Sequence, residues 1–130
     1  MPVLYTFNVM KKPPPADYLL QVTSYTRKRD WTSRSIGVWC PQLAPSKELT
    51  DQVNDWKQNN RLFQNWDGFV VSYLEEQRRK PAHLEQVYRW LEGGRSVALG
   101  CFCEEPCVCV RSLLAEIILQ RLPQIAVDLR

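Results

Sequence analysis

The run Arg95-Ser96-Val97-Ala98-Leu99-Gly100-Cys101 constrains this chain most, because it is a short apolar stretch set between two helical patterns. It reads as a strand buried in a sheet. Before it, Leu84, Val87, Tyr88 and Leu91 recur at helical spacing. Pro81 suits the first turn of that helix and Gly93-Gly94 ends it. After it, Ser112 opens a helix containing Leu113, Leu114, Ile117, Ile118, Leu119 and Leu122, stopped by Pro123. That helix is apolar nearly all round, the pattern of one sandwiched in a core.

The rest of the chain continues this alternation. Val3 to Val9 is rich in β-branched and aromatic residues and reads as a strand. Lys11-Lys12-Pro13-Pro14-Pro15 is a stiff extended linker. Leu19 to Thr23 forms a second strand, and a third spans about Ser35 to Trp39, stopping at Cys40-Pro41. Ser46 is an N-cap for a helix carrying Leu49, Val53 and Trp56. Asp67 caps a second helix carrying Val70, Tyr73 and Leu74, and Ile125-Ala126-Val127 is a closing strand. Strands interleaved with helices predict an α/β fold, a small mostly parallel sheet with helices packed on it. A chain of 130 residues has room for one such domain. Within it, residues 1–18 are the N-terminal strand and Pro-rich linker, 19–122 the core, and 123–130 a C-terminal strand or tail.

Composition excludes some classes. Apolar residues at 45% and charged residues at 24% are ordinary for a globular protein. A net charge of +3 is weaker than the imbalance of a dedicated nucleic-acid binder. No segment approaches the roughly 18 apolar residues of a membrane-spanning helix, and Met1 to Lys12 lacks a signal-peptide core. Four of the five cysteines crowd between Cys101 and Cys109, unlike the spread of a secreted disulfide scaffold. The expected compartment is the cytoplasm, with free or metal-bound thiols.

The cysteine turn is the least random stretch. In extended backbone Cys101 and Cys103 share a face, as do Cys107 and Cys109. If Glu104-Glu105-Pro106 folds the chain back, four sulfurs converge, and four thiolates at about 2.3 Å suit structural zinc. Pairs separated by a single residue are not the usual zinc spacing, however. Two other readings stand beside it: small buried hydrophobes, or a redox or nucleophilic thiol. The turn also joins a strand end to a helix start, where ligands of open parallel sheets bind. Arg111 and Ser112 sit there among unpaired N–H groups, so a phosphate or carboxylate would be well received. The same field favours a thiolate at Cys109. The alternative for Arg111 is a surface ion pair with Glu104 or Glu105.

Three blocks carry a family resemblance: Val22-Thr23-Ser24-Tyr25, Leu43-Ala44-Pro45-Ser46, and Val97-Ala98-Leu99-Gly100-Cys101 leading to Cys109-Val110-Arg111-Ser112-Leu113-Leu114-Ala115-Glu116. From about Leu19 to Leu122 the chain resembles the domain-of-unknown-function family numbered 488. That family's last helix typically begins Cys-His-Arg-Ser. Here Cys109, Arg111 and Ser112 match, Val110 replaces the histidine, and Cys103 and Cys107 are additions. The resemblance implies the α/β fold and a site at this turn, and it brings no activity with it. It also implies that the loops after the second and third strands lie on the edge of Cys101, so that Ser24, Tyr25, Arg27 and Cys40 face the turn.

Other features have simpler uses. Arg27-Lys28-Arg29 with Trp31 resembles a single-strand nucleic-acid contact, while Arg78-Arg79-Lys80 complements a helix dipole. His83 is the sole histidine, at a helix start with no motif partner. Trp56, Trp66 and Trp90 fall on helices as packing residues, whereas Trp31 and Trp39 lie where they could line a pocket or interface. Three function classes follow. The first is an anionic small-ligand site, with or without enzymatic activity. It is built on Cys101, Cys109, Arg111 and Ser112, with Ser24, Tyr25, Arg27 and Trp39 as ligand contacts. The second is an interaction module stapled by zinc on Cys101, Cys103, Cys107 and Cys109. The third is a nucleic-acid-associated accessory protein.

Overall fold

The computed structural model of the chain describes residues 2–9, 11–22, 38–101 and 110–129. In chain order the strands and helices are β1 (Val3–Asn8), β2 (Tyr18–Gln21), β3 (Val38–Trp39), α1 (Lys47–Gln58), α2 (Leu62–Arg79), α3 (Ala82–Glu92), β4 (Val97–Cys101), α4 (Val110–Arg121) and β5 (Ala126–Leu129). A 3-10 turn, Pro41–Leu43, follows β3. The expected α/β class holds. The sheet order is β3-β2-β4-β1-β5, and every neighbouring pair is parallel.

Parallel neighbours require crossover connections, and these are right-handed almost without exception. The passages from β3 to β4 and from β4 to β5 move the same way across the sheet, so their helices share one face. The passage from β1 to β2 moves the opposite way and crosses the other face. Two hydrophobic clusters record the result. Leu4, Leu20, Val97 and Leu99 pack with the helices, whereas Phe7, Val9 and Ala98 pack with Ala16 of the Pro-rich linker. The segment set apart as N-terminal, residues 1–18, therefore supplies an interior strand: β1 lies between β4 and β5.

All five residues of β4 are buried. Gly100 is required there, because a Cβ would stand 2.7 Å from the Phe7 ring and from Val9 Cγ1. At the amino-terminal edge Ser96 clasps three strands. Its Oγ accepts from Val3 N at 2.9 Å, its carbonyl accepts from Tyr18 N at 3.1 Å, and its own N–H donates to Asp17 Oδ2 at 2.7 Å.

Helix α3 follows its apolar stripe, whereas on α2 Phe69, Tyr73 and Gln77 are buried and Leu74, expected on the buried face, is exposed. Leu84, Val87, Tyr88 and Leu91 are the buried residues of α3, as their spacing predicts. Gly93 caps that helix and Gly94 takes φ +89°, a conformation glycine adopts without strain. Ser46 caps α1, accepting from Leu49 N at 3.2 Å. Trp90 stacks on Tyr18 and Trp66 on Phe69, with ring centroids 4.1 and 4.8 Å apart. His83 is exposed in the first turn of α3. No helix among the described residues is long and apolar enough to cross a membrane.

Three further helix expectations are corrected. The second helix starts at Leu62, so Asp67 is an interior residue rather than a cap. The cause is Asn60, which reverses the chain at φ 55° and lets the helix resume six residues before the expected start. The last helix opens by Val110, placing Ser112 in its first turn rather than at its boundary. Nor is that helix covered all round: Glu116, Gln120 and Arg121 are exposed, while Leu113, Leu114, Ala115 and Ile118 are buried.

The layer of α2 is pinned to the 3-10 turn by polar contacts. Tyr73 donates its hydroxyl to Leu43 O at 2.5 Å, and Gln77 Nε2 donates to Gln42 O at 3.2 Å. Glu76 accepts from Ser46 N at 3.0 Å and from the Ser46 hydroxyl. Burial holds the Tyr73 phenol well above the usual tyrosine range, with Cys40 and Glu76 adding to the shift.

Two outcomes are expected from this packing. Gly100→Ala should lower urea-unfolding stability by about 1–3 kcal/mol, the usual cost of overpacking, with no change in the m-value. The Tyr73 effect has a definite sign. The unfolded phenol ionises near pH 10 while the folded one resists, so its contribution is intact below that pH and lost above it. Urea-unfolding stability should therefore fall more steeply in wild type than in Tyr73→Phe between about pH 10 and 11, and the variant should lose about 1 kcal/mol at pH 7.

Candidate functional site

Parallel strands end together, so the carboxyl ends of β1, β2, β3 and β4 form one edge. Three backbone bonds finish it: Val9 N to Cys101 O at 3.0 Å, Val22 N to Gly100 O at 3.0 Å and Cys40 N to Gln21 O at 2.9 Å. Strands β2 and β3 therefore end at the edge that carries Cys101. Ser24, Tyr25 and Arg27 lie outside the described residues, as do Thr23, Lys28, Arg29 and Trp31. Trp39 is placed by its backbone as the last residue of β3, paired with Gln21 of β2.

The strand period decides which side chains meet under the helices. Leu4 and Leu99 face the helical layer, so Thr6, Asn8 and Cys101 share that face two residues at a time. Register aligns Thr6 with Leu99 and Asn8 with Cys101. Helix α4 packs over both strands. Its first turn delivers Arg111, which is 1% exposed and donates from Nη1 to Cys101 Sγ at 3.0 Å. A guanidinium has only donors, so the sulfur is the acceptor.

Of the residues singled out by sequence, the structure thus brings Cys101 and Arg111 into contact. Ser112, next to Arg111, is half-buried. Cys103, Cys107 and Cys109 lie outside the described residues, together with Glu104 and Glu105. Arg111 is buried rather than held on the surface, a site far more costly for a charge than a solvated one. Val110, which stands in place of the family's histidine, packs its side chain into the core.

The two described thiols are both buried. Burial pushes the Cys40 thiol up, opposed by backbone N–H groups at Leu43 and Gln42 and by the charge of Lys80. Its Sγ lies 3.8 Å from Gln42 Oε1 as donor. Cys101 is 0% exposed, unlike the partly accessible thiols that react readily. Among the described residues no group of three metal-ligating side chains gathers. A dication on Cys101 would have to share its sulfur's surroundings with a guanidinium.

Sequence reasoning missed Thr6 and Asn8, buried polar residues on the face shared with Cys101. A signal was present. Along β1 one face reads Leu4, Thr6, Asn8 and the other Tyr5, Phe7, Val9, so polarity accumulates on one side toward the carboxyl end. In an interior strand, buried polar groups are retained where they have hydrogen-bonding work.

A model of the family described as the active DUF488-N3 subclade matches residues 4–122. The chain belongs to this family. The DUF488 match runs from the second residue of β1 to the residue after α4, and so includes Thr6, Asn8, Cys101 and Arg111. No curated protein and no solved structure matches the chain.

The burial of both thiols sets their chemistry. Under native conditions at pH 7.5, iodoacetamide should modify Cys40 and Cys101 slowly, the labelled sulfur being assigned by fragment ions because Cys103, Cys107 and Cys109 share a peptide with Cys101. Modification should accelerate by orders of magnitude in urea, as read by peptide mass spectrometry. Rapid native labelling of Cys101 would contradict the enclosed sulfur.

Proposed function

We propose that this DUF488 protein binds an anionic small ligand, a phosphate or carboxylate, at the carboxyl edge of its sheet. Arg111 is the anion-binding residue. The observation that carries this reading is a guanidinium buried in the first turn of α4 and anchored on Cys101 at the end of β4. Three physical effects add there. The helix start contributes a partial positive charge and backbone donors. A buried cation acts in a low dielectric, where its field is stronger than on the surface. The crevice outside strand ends is where open parallel sheets receive ligands.

In this reading Cys101 is the acceptor that fixes the guanidinium plane, and the buried charge of Arg111 draws the anion to this edge. Asn8 and Thr6 supply neutral polarity on the same face. Ser112 lies one residue beyond Arg111 and offers a hydroxyl at the same helix start. Ser24, Tyr25 and Arg27 follow β2 in sequence and Trp39 ends β3, and in this reading they are the further ligand contacts. The subclade's description as active supports a reaction on the bound ligand. Cys109, directly before α4, is the thiol positioned by sequence to take part.

The test uses inorganic phosphate and ribose 5-phosphate as probes, followed by amide chemical shifts at Asn8, Val22, Cys101 and Arg111. Saturable shifts at this edge are expected. Arg111→Lys should weaken them about tenfold or more, because a lysine ammonium does not reproduce the planar guanidinium held against Cys101. Undiminished binding in Arg111→Lys, or shifts confined to other parts of the chain, would reject the assignment. Metal analysis of the same preparation separates this reading from the zinc staple, which requires one zinc per chain.

A further inference from the structure

We infer that the cavity at the opposite, amino-terminal edge of the sheet binds a free apolar α-amino acid, its ammonium group against Glu92 and its carboxylate on Arg121. The cavity has a volume of about 380 Å³, within the range of small-molecule sites. It opens where α3 and α4 end and where β1 and β5 begin. Leu91, Leu122, Pro123, Ile125 and Pro2 make its lining mostly apolar. It is therefore separated from Arg111 by the length of the strands, and independent of the anion site.

Two opposite charges share this otherwise apolar lining. Arg121 is held in place from two sides. Its Nη1 donates to Glu85 Oε1 at 2.7 Å, and its guanidinium carbon lies 4.2 Å from the centroid of the Tyr88 ring. That arrangement engages one of the five guanidinium N–H donors. A planar pair remains for a carboxylate, in a side chain already ordered before the ligand arrives. Glu92, the last residue of α3, carries an exposed carboxylate close enough to Arg121 to strengthen its hold on its proton.

This charge pattern selects among ligands. A simple fatty or aromatic acid would meet Arg121 but also the carboxylates of Glu92 and Glu85. An apolar amine would meet Glu92 but also the guanidinium. A zwitterion with an apolar side chain satisfies both charges, and the lining formed by Leu91, Leu122 and Ile125 takes its side chain.

The experiment is a titration of the full chain with L-leucine and L-phenylalanine, read by amide shifts at Glu92, Leu122, Ile125 and Ala126. Saturable shifts at these positions are expected with at least one of the two. N-acetylleucine, which lacks the ammonium charge, and leucine amide, which lacks the carboxylate, should each bind about tenfold or more weakly than leucine. Glu92→Gln should erase the difference between leucine and N-acetylleucine, and Arg121→Gln that between leucine and leucine amide. Both side chains are surface-accessible, so these variants retain the fold. Absence of saturable binding, equal affinity for the blocked compounds, or discrimination that survives both substitutions would overturn the proposal.

Discussion

A strand that nowhere meets water must be covered on both faces, and β4 is such a strand along its whole length. Flanking it with β1 and β2 in parallel satisfies its hydrogen bonds, but parallel neighbours cannot be joined by hairpins. The chain must leave one edge of the sheet and return to the other. Handedness then assigns each return to a face. Three helices between β3 and β4, and one between β4 and β5, cover one side, and among the described residues the proline-rich passage packs on the other. Gly100 allows the second face to close, since Phe7 and Val9 occupy the space where its side chain would be.

That geometry gives the two edges of the sheet different chemistry. At the carboxyl edge, strand ends meet the start of α4, and a buried arginine stands against the sulfur of Cys101. At the amino edge, helix ends meet strand starts, and a mostly apolar cavity is bordered by Arg121 and Glu92. Neither arrangement is a property of one segment. Each arises because a right-handed crossover brings residues far apart in the chain to a shared edge.

Much of the architecture was legible because hydrophobic period is a local property. The α3 stripe from Leu84 to Leu91, the Ser46 cap, the glycine stop and the buried run ending at Cys101 all follow from neighbours within a few residues. The Asp67 cap failed for an equally local reason. Asn60 can take a left-handed conformation as readily as Asp67 can cap, and only packing chose between them. The site was half legible. Arg111 and Cys101 stood out by their position at a strand-to-helix turn, whereas Thr6 and Asn8 passed unnoticed. Their role depends on β1 being interior, and nothing in residues 3 to 8 reveals a neighbour at residues 97 to 101.

By itself, then, the sequence determined the order of strands and helices and the apolar face of most of them, since those are set by side-chain period and backbone sterics. It also marked the turn before α4 as chemically unusual. Only the tertiary structure decided that β1 lies between β4 and β5, that Arg111 is buried against Cys101, and that Arg121 is braced between Glu85 and Tyr88. Burial and long-range register come from the whole core packing at once, and no window of neighbouring residues contains that information.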